Sequence, residues 1–151
     1  MPQSILGKHA LDVDHTRIIF DADSRSDMLL KPENVRMKGD DIAARFEVLA
    51  AAVIVLVRRL PRDRAARVME DELVRSATGG GSNYDEARSA QSRADFVHKV
   101  SLAAKETREA SFWLGVLSRT EESLRDDALA LKREATELTA ILMSSVKTAK
   151  R

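Results

Sequence analysis

Asp95 and His98 are the residues of this sequence whose types and spacing come nearest to metal chemistry. A carboxylate and an imidazole three positions apart on a helix lie one turn apart, as they do in the carboxylate-x-x-His pairs of di-iron bundles. Such sites also need a second copy of the pair with bridging carboxylates, and His9 and His15 lie on no predicted helix. We therefore expect no metal site, with Asp95 paired to Lys99 and His98 solvated or facing a neighbour.

The other patterns that carry chemistry are also missing from the sequence. The glycine-rich stretch at residues 79–83 has neither the lysine nor the preceding strand of a phosphate-binding loop. The chain has no cysteine, so it has no thiolate nucleophile, disulfide or Cys-based zinc site. No serine elbow, HExxH motif or acid-base carboxylate pair is present. We expect a protein that is not an enzyme and that binds no cofactor.

Basic residues are concentrated in one region, although the whole chain is almost neutral. Lys plus Arg number 25 against 24 Asp plus Glu, so no net field attracts nucleic acid or anionic lipid, and binding must use a local patch. Between residues 86 and 119, six cations face four acids. A candidate binding surface in and beside this region comprises Asn83, Glu86, Arg88, Arg93, Lys99, Lys105 and Arg108.

Two interpretations of this surface remain open. Asn83, Glu86 and Arg93 either mark a binding site or satisfy loose backbone groups where the chain reverses, and the second interpretation is favoured. The cations are either a solvated helix face or a nucleic-acid site. Phe112 and Trp113 fit core packing or a subunit interface better than base stacking, which requires exposed aromatic rings among cations.

Long helices must position these residues. Apolar residues make up 44% of the chain and charged residues 32%, whereas Gly (6) and Pro (3) are scarce. Apolar positions alternate at spacings of four and three over residues 42–60, 96–117 and 124–142. Ser118 and Glu121 match a capping box for the last of these helices. The pattern predicts an all-α, up-down four-helix bundle over residues 38–151, after a weakly ordered arm at residues 1–37.

The first helix is apolar on every side between residues 48 and 57. A helix of this kind must be covered all round, and in so small a chain the cover is a partner subunit. Ala51, Ile54 and Val55 are the candidate residues of that oligomer interface. The same apolar run is about half as long as a membrane span, and the first residues lack the features of a secretory signal, so we expect a cytoplasmic protein without membrane contact.

The run from Asn83 to Leu114, which includes NYDEARSAQSRADFVHKV and AKETREASFWL, resembles the central signature of a bacterial family. That family is the four helix bundle protein family, also called the 23S rRNA intervening-sequence or S23 family. The resemblance implies ring-like pentamers around a central channel. It also implies that the second helix, which begins near Arg62, continues through Gly79 to Gly81 to about Ala87. Glycine propensity, at about 1 kcal/mol per residue, predicts a break there instead.

Two functions follow from the residues and the resemblance together. The first is a homo-oligomeric interaction or scaffold protein, pentameric as in the family, whose partners are itself and an unidentified protein or nucleic acid. The alternative is a nucleic-acid-binding accessory protein of the reverse-transcriptase-accessory or rRNA-associated type. One branch of the family has a strongly basic barrel for that role, and this nearly neutral sequence departs from it.

Overall fold

A computed structural model of the chain describes residues 39–151, which form four α-helices and no strand. The prediction of four helices is confirmed for this part of the chain, and the predicted arm at residues 1–37 lies outside the described residues. The helices are α1 (Asp40–Val57), α2 (Arg64–Arg88), α3 (Arg93–Thr120) and α4 (Arg125–Ala149), and a 3-10 turn at Glu122–Leu124 precedes α4.

Short connections place successive helices side by side. α3 packs against both α2 and α4, and α1 closes the bundle by packing on α2 and, less extensively, on α4. The predicted heptad positions form the core: in α4, Leu131, Leu138 and Leu142 are each at most 1% exposed. In α1, Leu49 and Val53 are buried to the same degree.

α2 continues without a break through its three glycines, as the resemblance implied, and the break predicted from propensity is wrong. The reason is tertiary packing. A Cβ atom at Gly80 would stand 2.6 Å from the Thr107 hydroxyl of α3 and 3.3 Å from the Phe46 ring of α1, and one at Gly81 would stand 3.3 Å from Phe46 Cβ. The missing side chains let three helices approach closely, and this contact offsets the low helix propensity of glycine.

The capping box predicted at Ser118 and Glu121 is wrong. α3 extends to Thr120, so Ser118 is a buried residue inside that helix, where its hydroxyl donates to the carbonyl of Gly115 at 2.8 Å. Arg125 Nε instead reaches back to the Ser118 carbonyl at 3.2 Å. Side-chain caps do form at the starts of α2 and α3: Asp63 accepts from Ala66 N at 2.9 Å for α2, and Ser92 caps α3 in the same way.

Candidate functional site

The predicted interface residues of α1 lie outside the bundle core. Ala51 is exposed, and Ile54 and Val55 are half-buried. Val48 belongs to the same surface and keeps 37% of its area exposed. In a single chain, α1 therefore carries an uncovered apolar strip, which we define as Val48, Ala51, Ile54 and Val55.

Asn83, Glu86 and Lys99, from the predicted binding surface, make contacts within the bundle. Asn83 Nδ2 donates to the Gly79 carbonyl of its own helix at 2.8 Å, a contact of the backbone-satisfying kind. Lys99 of α3 lies 3.5 Å from the Glu86 carboxylate and 3.9 Å from that of Asp95. The contact between Lys99 and Glu86 joins the end of α2 to the start of α3.

Arg88 has a structural position. Its guanidinium pairs with Asp85 at 3.2 Å and with Asp40 at the start of α1, and its side chain is only 17% exposed. Arg88 therefore holds the ends of α1 and α2 together. Tyr84 lies in the same region, 5.4 Å from the Phe46 ring, and burial raises the pKa of its phenol, with Arg88 opposing that rise.

Arg93, Lys105 and Arg108 behave differently from the rest of the predicted surface. All three lie on α3 with exposed side chains. Among residues 39–151, none of the three takes part in an ion pair. These are the members of the predicted surface that remain available to an anionic partner.

Three glutamates at the α2/α3 edge share one arginine. Arg75 of α2 lies 2.7 Å from Glu72 and 2.9 Å from Glu106, and it also pairs with Glu109. We call these four residues the Arg75 cluster. The hydrogen bond from Arg75 lowers the pKa of Glu72, and the same bond raises the pKa of Arg75.

Two acids of α4 also share one arginine. Arg45 of α1 lies 2.7 Å from Glu134 and 3.0 Å from Glu137. Its hydrogen bond with Glu134 raises the pKa of Arg45, in spite of a smaller opposing effect of burial. Asp127, a buried acid at the start of α4, accepts from Arg59 at 2.6 Å. Asp127 and Glu134 thus face α1, whereas Glu137 also contacts α1 but stays 64% exposed and lines a surface depression that Lys132 shares.

Phe112 and Trp113 lie in different environments, although the sequence predicted core packing or a subunit interface for both. Trp113 is partly buried against the core, as core packing predicts. Phe112 is 62% exposed, so core packing is wrong for this residue, and the subunit interface stays a prediction. The two rings meet edge to face at a centroid distance of 5.4 Å and an interplanar angle of 75°, which fixes the exposed ring in place.

One charged feature was not anticipated from the sequence. Lys132 of α4 and Arg119 of α3 converge over Gly115: a Cβ atom there would stand 3.1 Å from Lys132 Nζ and 3.6 Å from Arg119 Nη1. Arg119 Nη1 also donates to the Gly115 carbonyl at 2.7 Å. We call this place, formed by Gly115, Arg119 and Lys132, the Gly115 cleft.

The surroundings of the Gly115 cleft combine hydroxyl groups with an open, mainly apolar depression. Ser111 and Thr136 share a hydrogen bond of 3.0 Å between their hydroxyls across the α3/α4 seam. The depression lies beside Lys132 and is lined also by Leu129, Arg133, Thr136, Glu137 and Ala140. The basic face is hereafter the set Lys105, Arg108, Arg119 and Lys132, and none of its members is in an ion pair among residues 39–151.

Asp95 and His98 do not form a metal site with other residues of the described chain. Asp95 accepts from Gln91 N at 3.3 Å and lies near Lys99, and His98 is exposed. Residues 39–151 contain no group of three or more His, Asp or Glu side chains placed to hold a metal ion. The predicted Asp95–Lys99 pair is present at a distance of 3.9 Å.

The fold and these surfaces define a small helical-bundle protein with one apolar strip and one basic face. A sequence profile of the 23S rRNA-intervening sequence protein family matches residues 41–144, and the chain belongs to that family. The same fold is found in the crystal structure of a protein with unknown function from the S23 ribosomal protein family of Bacteroides thetaiotaomicron. The two are 34% identical with a TM-score of 0.64, and the match covers 70% of this chain and 98% of the other.

No match to this chain is found among curated proteins. Within residues 39–151, no helix combines the length and the apolar character that crossing a bilayer requires.

Proposed function

We propose that this protein is a non-enzymatic, self-associating helical bundle whose assembled surface binds a macromolecular partner. The supporting observation is the apolar strip of α1, where Val48 and Ala51 are exposed and Ile54 and Val55 are half-buried. Exposure of such a strip to water is unfavourable, and a second copy of the chain is the partner that would cover it.

A closed ring needs two different surfaces on each subunit, because subunits in a ring contact one another head to tail. A second apolar surface is available between α2 and α3. It is a depression lined in part by Val68, Trp113 and Val116, and Val68 is 48% exposed. The strip of α1 and this depression lie on different helices, so one subunit can use both at once. This arrangement is compatible with the proposed pentamer.

The molecular mass in solution tests the proposal. Light scattering on the full chain is expected to give about five times the chain mass of 16.7 kDa. Ala51→Asp should lower that mass while helicity is retained, because the added charge is harmless on a wet surface and costly inside an apolar interface. Ile54→Asp should act in the same direction.

Ala140→Asp is the matched control, since Ala140 is also an exposed alanine within a long helix but lies on α4. It should leave the mass unchanged. A well-folded wild-type monomer, or wild-type assembly by both Ala51→Asp and Ile54→Asp, would contradict the proposal.

A second candidate function is nucleic-acid binding as an accessory to another macromolecule. The observation that favours it is the sorting of charges: Glu106 and Glu109 face Arg75, and Glu134 faces Arg45, whereas the cations of the basic face have no such partners among residues 39–151. A nearly neutral chain can in this way present a local cationic surface. Binding that weakens steeply with added salt is the expected signature.

A further inference from the structure

We propose that the outer side of α3 and α4 is a binding site for single-stranded nucleic acid, with a phosphate in the Gly115 cleft and a base stacked on Phe112. This inference rests on the second candidate function and names its site. It does not use the apolar strip of α1, although Phe112 contacts Trp113, which lines the proposed second subunit surface.

The first step concerns the cleft. Two cationic groups, Lys132 Nζ and Arg119 Nη1, approach the same point above Gly115. Like charges this close repel each other, and among residues 39–151 neither has a carboxylate at ion-pair distance to offset the repulsion. An anion between them converts the repulsion into two charge-assisted hydrogen bonds. Phosphate fits this donor set because one lysine ammonium and one guanidinium can each bind its oxygens.

The second step concerns Gly115 itself. It lies inside α3, where glycine is less favourable than alanine by about 1 kcal/mol, and its carbonyl holds Arg119 in place. A methyl group at this position would stand 3.1 Å from Lys132 Nζ and would occupy part of the cleft. Gly115 is buried beneath the two cationic ends, so the absence of a side chain lets them converge over the α3 backbone, and an anion would bind on their outer side.

The third step concerns Phe112, which lies one turn before Gly115 on the same helix. Its ring is 62% exposed and is held against Trp113 by an edge-to-face contact. Arg108 lies one turn further towards the start of α3. A fixed exposed ring between cations is the arrangement that proteins use to stack unpaired bases, and it is sequence-tolerant because every base has a flat face.

The residues of the proposed site are regularly spaced along α3. Arg108, Phe112, Gly115 and Arg119 follow one another at intervals of four, three and four residues, so they form one line along α3. This line is about 16 Å long at the rise of an α-helix. It accommodates a short strand that alternates phosphate and base contacts. A duplex would keep its bases stacked on each other and out of reach of Phe112, so single strands are the expected ligands.

Binding of a labelled mixed-sequence oligonucleotide to the full chain tests the proposal, with fluorescence anisotropy as readout. Single-stranded RNA, single-stranded DNA of the same sequence and the matching duplex form three arms, and heparin serves as a polyanion without bases. The wild type should bind a single strand more tightly than the duplex. Quenching of Trp113, the one tryptophan of the chain, should accompany binding because the base docks on the neighbouring ring.

Variants then locate the site. Phe112→Leu keeps the apolar bulk but removes the ring and should weaken single-strand binding roughly tenfold or more, whereas Phe112→Tyr should retain it. Lys132→Gln should reduce the slope of log affinity against log salt by about 0.7, the value for one phosphate contact of a single strand. Gly115→Ala should weaken binding without unfolding. Arg67→Gln, which removes an exposed cation from α2, is the matched control and should change affinity little.

The outcomes separate this inference from the functions above. Strong single-strand binding that is unaffected by Phe112→Leu and Lys132→Gln would overturn the site but leave the second candidate function standing. No binding at low salt would contradict both the proposed site and the second candidate function. Self-association would still be tested by the molecular mass in solution. If Phe112→Leu instead dissociates the assembly while the wild type binds no strand, the Phe112 side chain is a contact between subunits and the proposed binding site is wrong.

Discussion

At the α2/α3 edge, one arginine pairs with three glutamates, whereas the four cations of the basic face on α3 and α4 have no carboxylate partner among residues 39–151. The two regions share α3 and lie within a few turns of each other. Their glycines also differ. Gly80 admits a neighbouring helix, and Gly115 admits only the flexible ends of two charged side chains. One region is built for contact inside the bundle and the other leaves its charges facing outward.

This difference shows why net charge is a poor guide to partners in a helical bundle. The chain sums to +1, yet the folded arrangement draws acids into the α2/α3 and α1/α4 edges. Ion pairs at these edges place an arginine beside the acids and so offset part of their field without changing the total. A local cationic face can therefore arise in a protein whose composition predicts none.

The largest expected effect comes from substituting alanine for one glycine in each region, Gly80 and Gly115. At Gly80 the new methyl group would stand 2.6 Å from Thr107 Oγ1, a short side chain whose hydroxyl is already bonded to the Ala103 carbonyl. Overpacking of this kind costs about 1–3 kcal/mol, only partly offset by the helix propensity of alanine, so the free energy of unfolding should fall by about 1–2 kcal/mol.

Gly115→Ala should have the opposite sign, because Lys132 Nζ can move away. The expected gain is up to about 1 kcal/mol. Gly79→Ala is the internal control in α2, since its methyl group would meet only the flexible Glu106 side chain. Urea unfolding monitored by circular dichroism measures all three variants. Equal changes in the free energy of unfolding at Gly80 and Gly115 would contradict the proposed difference between the two regions.

A smaller effect is expected from Arg75→Gln, which leaves the three glutamates of the Arg75 cluster to repel one another. Arg75 lowers the pKa of Glu72, so this contact contributes stability above the ordinary glutamate pKa, and that contribution is lost as pH falls through the lowered value. The variant should therefore unfold at lower temperature than the wild type at neutral pH and low salt.

The difference should shrink in acid and at high salt. Arg67→Gln is the comparison, since Arg67 is exposed on the same helix and is in no ion pair among the described residues. If the two variants lose the same small amount at every pH, the Arg75 cluster is not a coupled unit.

Much of the fold could be predicted from the sequence because heptad spacing reports which face of a helix is buried. The seams of α1, α3 and α4 were predicted in this way. Local helix propensity does not predict that α2 continues through its glycines, because the residues that pack against them, Phe46 and Thr107, belong to other helices. The capping box at Ser118 failed for a related reason: α3 continues past Ser118 and buries it.

The candidate site was predicted only in part. Lys105 and Arg108 were identified from charge density, but Arg88 was placed in the same group although it pairs with Asp40. The Gly115 cleft was missed because it joins α3 to α4, and a pattern along one helix does not give the rotation of its neighbour. The position of Phe112 between the seam residues Ala110 and Leu114 was the available signal that its ring faces outward.

The smallest expected effect concerns the contrast between two aromatic residues, the exposed Phe112 and the partly buried Tyr84. Burial raises the pKa of Tyr84, Arg88 opposes the rise, and Asp41 and Asp40 add to it. Because Tyr84 is the one tyrosine of the chain, the ultraviolet absorbance of its phenolate reports this pKa directly. The titration midpoint of the folded protein should lie above that of the same chain in denaturant. Asp41→Asn should lower it slightly.

The linked stability has a definite sign. The folded state holds the phenolic proton more tightly than the unfolded state, so the contribution is fully present below the unfolded pKa of about 10 and is lost as pH rises through the folded value. Thermal unfolding should therefore shift to lower temperature in that alkaline window, and Tyr84→Phe should remove this part of the shift. If the titration midpoint of the folded protein equals that of the denatured chain, the Tyr84 phenol is as exposed to solvent as the Phe112 ring. The contrast between the packed α1/α2 end and the open α3/α4 face would then rest only on their charges.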